Sequence, residues 1–368
     1  MSTRNPAPSG EATRESICLV CEMPPPAGGM ALQGEQLGQR LRSEGHAVDH
    51  VRTNPLGRGA AVRRVRGLRG IVNFGLFLVQ LLRSVPRVHI VHVFSHSYLS
   101  FWLFTAPAVG LGRLFGKRVV IHYHGGLAEP FLSRWGRLAG SVLRAGDALL
   151  VPSAFLVDVF RRFGHHADEL PNLMALDRFS FRLREPLAPR ILMARHLRAP
   201  YNPACGLRAF ARLAERQSGA RLTLAGDGPE RPQLEALVRQ LDLEQSVRFL
   251  GNIDNERMLA EFEAHDVLLN SSRADNQPVS LLEAFACGMP VVSTAVGGIP
   301  HMIEDGCDGL LAPDDDAAAL AAQLQRLFDE PGLAASIARS ARAKMSAHDW
   351  SRIYPRLLVA YRGHEAHG

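Results

Sequence analysis

Two acids, Asp275 and Glu283, stand eight residues apart in the stretch LLNSSRADNQPVSLLEAFACGMPVVSTAVGGIP, residues 268–300. The apolar run DVLLNSS reads as a strand. Pro278 suits the first turn of a helix that Gly288 and Pro290 close. Amides at a helix start have no intrahelical acceptor and sit at the positive end of the helix dipole, so a phosphate is the expected guest. Pro278 lacks an N–H, which leaves the amides of Val279 and Ser280 and the Ser280 hydroxyl as candidates. Two carboxylates beside a phosphate ester can accept hydrogen bonds from sugar hydroxyls, as acids do in nucleotide sites. A diphosphate with a sugar at each end would use both. Spacing alone equally allows Asp275 to cap the helix and Glu283 to be a solvated surface acid.

The elements that must hold these residues are short apolar runs separated by helical stretches. SICLVCE, HAVDHVR, RVHIVHVFS, KRVVIHYHG and DALLVPS form one series, and RILMARH, RLTLAGDG, SVRFLGN, DVLLNSS and MPVVSTA a second. Apolar strands alternating with helices predict parallel sheets covered on both faces. The expected fold class is therefore α/β, with two facing Rossmann-like, doubly wound domains that share a cleft outside the carboxyl ends of their strands. The periodicity breaks at DRFSFRLREPLAPR, so the first domain is placed at residues 16–185 and the second at 186–346, with a final helical segment at 347–368. The loops after the strands are where chemistry is expected. Several are glycine-rich: Gly28 and Gly29 follow three prolines and permit close approach to a ligand or simply turn the chain. Gly226 and Gly251 open two more such loops and are carried as candidate ligand-binding positions.

SSRADNQPVSLLEAFACGMPVVSTAVGGIPHMIEDGCDGLLAPDD resembles the signature of the retaining glycosyltransferases of family 4, which have the GT-B fold. PPPAGGMALQGEQLGQRLRSEGHAVDHV, LPNLMALDRFSF and RLTLAGDGPERPQLEALVRQLDLEQSVRFLGNI are similar to the family's first glycine loop, interdomain segment and donor domain. HDWSRIYPRLLVAYR looks like its last helix, which crosses back onto the first domain. The resemblance implies a nucleotide diphosphate sugar as donor and no bound cofactor or metal. Glu283 would hold the ribose, Asp275 the transferred hexose, and Arg195 the diphosphate. His124, at the end of its strand, would contact the hexose or its phosphate and fits better than His122. Two departures stand out. The family more often has Glu where Asp275 stands, and it carries a Lys near the point where Cys205 precedes Gly206. Arg198 or His196 is expected to supply the second charge.

Composition narrows the alternatives. A chain of 368 residues that is 46% hydrophobic is enough for two packed cores. Five scattered cysteines argue for a reducing compartment. Cys18 and Cys21 form one CxxC, but on a strand they point to opposite faces, and no second pair completes a zinc site, so they read as core. Asp314 and Asp316 have the spacing of a metal-binding DxD but precede a strong helix, which they would cap. AGDGPERP lacks the third glycine and the following acid of a nicotinamide fold.

The leader, residues 1–15, lacks the apolar run of a signal peptide and reads as disordered, so a cytoplasmic chain is expected. The net charge of +6 is concentrated: from His50 to Ala128 there are eleven Arg and Lys and no acid. That patch and the apolar run beside it suit an anionic membrane surface at the inner face or a lipid-linked acceptor. The same run could equally pack into the first domain beneath solvated arginines. No nucleic-acid motif accompanies the arginines.

The expected function is transfer of a hexose to a saccharide or lipid-linked acceptor in bacterial surface or exopolysaccharide synthesis. A catalytically silent partner subunit and a sugar-nucleotide epimerase are the alternatives.

Overall fold

The computed structural model describes residues 14–24, 29–54 and 68–363. Gly28, most of the leader and the arginines at 58, 63, 64 and 66 lie outside the described residues. The first half runs β1 (Ser16–Cys21), α1 (Gly29–Ser43), β2 (Ala47–Arg52), α2 (Leu68–Ser84), β3 (Ile90–Ser95), α3 (Ala106–Leu114), β4 (Arg118–Tyr123), α4 (Ala128–Arg144), β5 (Ala148–Val151), α5 (Ala154–Arg162) and β6 (Asp168–Glu169). The second half runs β7 (Arg190–Met193), α6 (Pro203–Ala214), β8 (Arg221–Ala225), α7 (Arg231–Gln240), β9 (Val247–Gly251), α8 (Asn255–Ala264), β10 (Val267–Asn270), α9 (Val279–Cys287), β11 (Val291–Thr294), α10 (Ile299–Met302), β12 (Leu310–Ala312), α11 (Ala317–Asp329), α12 (Leu333–Lys344) and α13 (Trp350–Arg362).

Each half is one six-stranded sheet, in the orders β2-β1-β3-β4-β5-β6 and β12-β11-β10-β7-β8-β9, and every strand pairing is parallel. Parallel strands need crossover helices on both faces, which explains why the central strands β1, β3, β4, β5, β7, β8, β10 and β11 are buried along nearly their whole length, whereas the edge strands β2, β6 and β9 are partly exposed and carry charged residues. In β1, Cys18 packs among Phe77, Val93 and Val119 on one face, while Cys21 packs with Leu37, Ile353 and Leu357 on the other. Both thiols are buried, and burial pushes each up to about 12, so they behave as small core hydrophobes.

The segment between β6 and β7 joins the sheets and is pinned by Arg184. This buried guanidinium donates to the carbonyls of Phe262 and His265 at the end of α8 and to that of Cys287 at the end of α9. A cation there satisfies orphan carbonyls and the negative ends of two helix dipoles. The last helix, α13, returns to the first sheet, where Ile353, Leu357, Ala360 and Tyr361 join the core of β1, β3 and α1. Asp316 accepts the Ala319 amide and caps α11, the role expected for the acidic run. Val88–Gly112 divides into β3, one π-helical turn and α3, and no described helix is long and apolar enough to cross a membrane.

Candidate functional site

In the second sheet, successive connections run outward from β7 in one direction and from β10 in the other. The adjacent strands β7 and β10 are therefore the point where the winding reverses, and loops leaving their carboxyl ends splay apart to leave a crevice. Arg195 follows β7 and Asp275 follows β10. They face a cleft of about 820 Å³ whose other wall is built by loops after β1, β3, β4 and β5, including Glu22, His96, Tyr98, His124 and Pro152.

Arg195 and Asp275 form an ion pair, with side chains only 22% and 12% exposed. The guanidinium also lies over the Tyr201 ring, 4.6 Å from its centroid. Burial lowers the Arg195 pKa from its usual range, and Tyr201 and Glu283 pull it back. Asp275 accepts the Asn276 amide at 3.0 Å with its other oxygen. Its carboxylate is thus largely committed within the protein, a pairing with Arg195 that neither the sugar-binding nor the helix-capping expectation included.

Two pairs of glycines set these loops. A Cβ on Gly226 would lie 2.1 Å from the Arg195 carbonyl oxygen, and one on Gly228 would lie 2.1 Å from that of Leu197. Gly297 (φ +54°) and Gly298 stand in the same relation to Asp275 and Asn276, at 2.0 and 2.1 Å. The GDG and GG motifs are therefore backbone seats for the two loops that carry the cation and the acid.

Glu283 lies one turn into α9 and, with Arg195, Gly226, Ile253, Val279 and Ser280, lines an adjoining pocket of about 120 Å³. Burial raises its carboxyl to about 7, although Arg178 and Arg195 pull it down. The capping alternative for α9 does not describe the site: Pro278, not Asp275, is the N-cap, and among the described residues no side chain caps this helix. Gly29 lines both pockets and faces Val279, whose Cγ2 would be 3.3 Å from a Cβ placed on it. Gly251 does not line either pocket. It is buried and bridged to Gly226, so it supports the loop from behind, a correction to its candidacy as a ligand contact.

His124 lines the cleft, stacked on Phe94 with ring centroids 4.9 Å apart and against His122 at 4.1 Å. Burial holds it well below the usual histidine range, so it is neutral, and its Nε2 has no hydrogen-bond partner among the described residues. His122 sits one layer deeper, bonded to His92 at 3.3 Å. Arg198 is exposed at the cleft rim, and His196 lines the wall beside Arg195. Cys205 is buried in the second core on α6, so a second cation would not enter the cleft from that position. The turn at Ala199–Tyr201 and the left-handed Asn202 bring Tyr201 to the wall instead.

Sequence reasoning missed the contacts that close the cleft. Gln277 accepts the Asn172 amide at 2.9 Å and its carbonyl accepts the Asn172 side chain at 3.2 Å, while the Ser153 hydroxyl donates to Asn276. These residues sit in stretches already singled out, DALLVPS, LPN and DNQP, but uncharged polar side chains carry no long-range pairing signal. Among the described residues one group, Glu304, Cys307 and Asp308, could meet on a metal; it does not line the cleft, and Asp308 is engaged by Lys344 and the Glu304 amide.

With this geometry in view, residues 178–344 match the family described as glycosyl transferases group 1, and residues 27–174 match glycosyltransferase family 4. Glycogen synthase of Mycobacterium tuberculosis (strain H37Rv) is 28% identical over 267 residues, covering 68% of this chain and 64% of that protein. The amylovoran biosynthesis glycosyltransferase AmsK of Erwinia amylovora is 34% identical over 177 residues, 46% of this chain and 44% of its own. The chain thus spans less than two thirds of the length of these curated relatives. Anabaena Alr3699/HepE, solved with UDP-glucose, superposes with a TM-score of 0.73 at 18% identity over 94% of this chain and 98% of that one. Sucrose-phosphate synthase of Thermosynechococcus elongatus superposes with a TM-score of 0.73 at 22% identity over 95% and 98%. The likeness to these structures establishes the fold, GT-B.

Proposed function

This chain belongs to family 4 of the glycosyltransferases, and from that premise we propose that it moves a hexose, with retention at the anomeric carbon, from a nucleotide diphosphate sugar to a saccharide or lipid-linked acceptor in cell-surface or exopolysaccharide synthesis. The observation that carries the proposal is convergence: the start of α9, Arg195, Asp275 and Glu283 meet at one crevice, at the switch point of the second sheet. The Val279 and Ser280 amides and Arg195 hold the diphosphate, with Arg198 at the rim. Glu283 accepts the ribose hydroxyls in the smaller pocket. Neutral His124, from the opposite wall, is left to bond the hexose or its phosphate. Asp275 orients Arg195 and uses its remaining lone pairs on the hexose.

Departure of the diphosphate increases its negative charge, so the protein's contribution is positioning and charge stabilisation, with the leaving group itself helping to accept the acceptor's proton. The site needs no protein nucleophile for that sequence. Closure through Asn172–Gln277 and Ser153–Asn276 brings the two walls together and excludes water.

The test is incubation of the purified chain with a panel of nucleotide sugars, UDP-glucose first because HepE was solved with it, and with oligosaccharide and lipid-linked acceptors. Transfer, or slow donor hydrolysis with release of the α-anomer, is expected. A second reading, a silent partner subunit, is motivated by the cleft lining, to which Arg195 and Arg198, and no Lys, contribute among the described residues. Tight donor binding without turnover on any acceptor would establish it; conversion of the donor sugar without an acceptor would instead identify an epimerase.

Gly297→Ala is expected to weaken UDP-glucose binding roughly tenfold or more, since the added carbon overlaps the Asp275 carbonyl. Gly306→Ala is the control: it has the same left-handed strain, about 1 kcal/mol, but no neighbour within 4 Å. Equal losses in calorimetry would reduce the Gly297 effect to backbone strain.

A cytoplasmic chain docked on the inner membrane surface fits the acceptor half of the proposal. Ile71, Val79 and Leu82 on α2 are 71%, 44% and 52% exposed, and Arg83 and Arg87 flank the end of this apolar stripe. Co-sedimentation with anionic liposomes is expected and should fall as salt screens the basic residues. Salt-independent pelleting would remove the electrostatic component.

A further inference from the structure

We infer that the first domain carries a second ligand site, for a small polyhydroxylated anion such as a sugar phosphate, at the end of its sheet opposite the cleft. A pocket of about 550 Å³ opens where β4, β5 and β6 begin, and α13 forms one of its walls. The proposed donor site lies at the other ends of these strands. β4 alone, from Arg118 to Tyr123, separates the two by about 17 Å at ~3.3 Å per residue.

Three guanidiniums line this pocket, those of Arg118, Arg144 and Arg356, and none has a carboxylate partner among the described residues. Arg118 spends only Nε, on the Ala360 carbonyl at 2.8 Å, and its terminal nitrogens lie beside Gly363. Arg356 reaches the Glu169 carbonyl. Arg144 sits against the buried His165 ring, and burial together with that neighbouring charge lowers the His165 pKa.

The acids of the pocket do not cancel these charges. Asp147 is paired with Arg113 at 2.9 Å and also accepts the Val119 amide, while Asp168 faces His166 at 3.3 Å. Glu169 is the lining carboxylate without an ion pair among the described residues. A fork of guanidinium donors matches phosphate or carboxylate oxygens, and a nearby carboxylate accepts from hydroxyls. Three arginines with one open acid therefore suit a ligand bearing both groups. Because Arg356, Val359 and Ala360 come from α13 and Gly363 is its C-cap, the ligand would tie the returning helix to the edge of the first sheet and raise the melting temperature.

The experiment is calorimetry of the full chain with glucose 6-phosphate, inorganic phosphate and glucose. Saturable binding of glucose 6-phosphate, weaker binding of phosphate and none of glucose are expected. Arg118→Gln, Arg144→Gln and Arg356→Gln should each lower the glucose 6-phosphate affinity about tenfold, the loss of one charge-assisted contact. Arg144 is exposed and its side chain makes no hydrogen bond among the described residues, so its variant remains informative should either of the others unfold. Arg195→Ala, in the cleft, should leave this affinity unchanged. No saturable binding of either anion would overturn the site, as would binding abolished by Arg195→Ala but indifferent to Arg144→Gln. Equal affinity for phosphate and glucose 6-phosphate would overturn its sugar half.

Discussion

Arg195→Ala is expected to lower kcat for transfer or donor hydrolysis by about 10²–10³-fold, the usual cost of removing one preorganised donor from a developing oxyanion. The effect should fall more on kcat than on KM, because the diphosphate gains charge as the glycosidic bond breaks and Arg195 is the buried cation at that point. The same substitution leaves Asp275 without its partner at 12% exposure. A stability loss of about 2 kcal/mol is expected from stranding that charge. Arg195→Ala/Asp275→Asn separates the two effects, because it should recover the melting temperature and not the turnover. Arg195→Lys keeps the charge but loses the planar fork and its stacking on Tyr201, so an intermediate kcat is expected. Wild-type kcat in the alanine variant would remove the proposed chemistry.

The two sheets were legible because central parallel strands buried on both faces are predominantly apolar, and such runs recur along the sequence, with the more polar edge strands β2 and β9 found by their place in the alternation. The start of α9 was legible because Pro278, Gly288 and Pro290 punctuate it. The Arg195–Asp275 pair was not, since it joins loops from different strands and depends on β7 and β10 being neighbours. Sheet order is a tertiary fact that strand sequences do not encode locally. Counting along the chain toward the expected Lys failed at Cys205 for a related reason: the tight turn before α6 rotates the helix so that this residue points into the core. Gly251 shows the converse error. Its loop was read as a ligand contact, but its bridge to Gly226 makes it the second layer beneath one. The GG of VGGIP was read as part of a family signature, and its physical reason became visible only with the Asp275 and Asn276 carbonyls seated against it.

Glu283→Gln is expected to weaken UDP-glucose binding about 30-fold or more at pH 8, in line with the ~2–3 kcal/mol of hydrogen bonds to a charged acceptor. Burial raises the Glu283 carboxyl to about 7, so in the empty protein it is protonated through much of the acidic range. For an acid whose folded pKa lies above its unfolded value, stability is greatest below the unfolded pKa and declines as pH rises through the folded one. Ribose hydroxyls donate to the charged form, so the donor offsets that decline, and binding releases a proton below about pH 7. UDP-glucose affinity should therefore be flat above pH 7 and fall by up to about tenfold per pH unit between pH 7 and 5. The Gln variant should lack that slope, and the two proteins should converge near pH 5. His124 and His96 are held neutral by burial across this window, and subtracting the variant's profile removes any contribution from His196. A parallel pH dependence in both proteins would separate Glu283 from the ribose and leave the smaller pocket without a ligand contact that titrates.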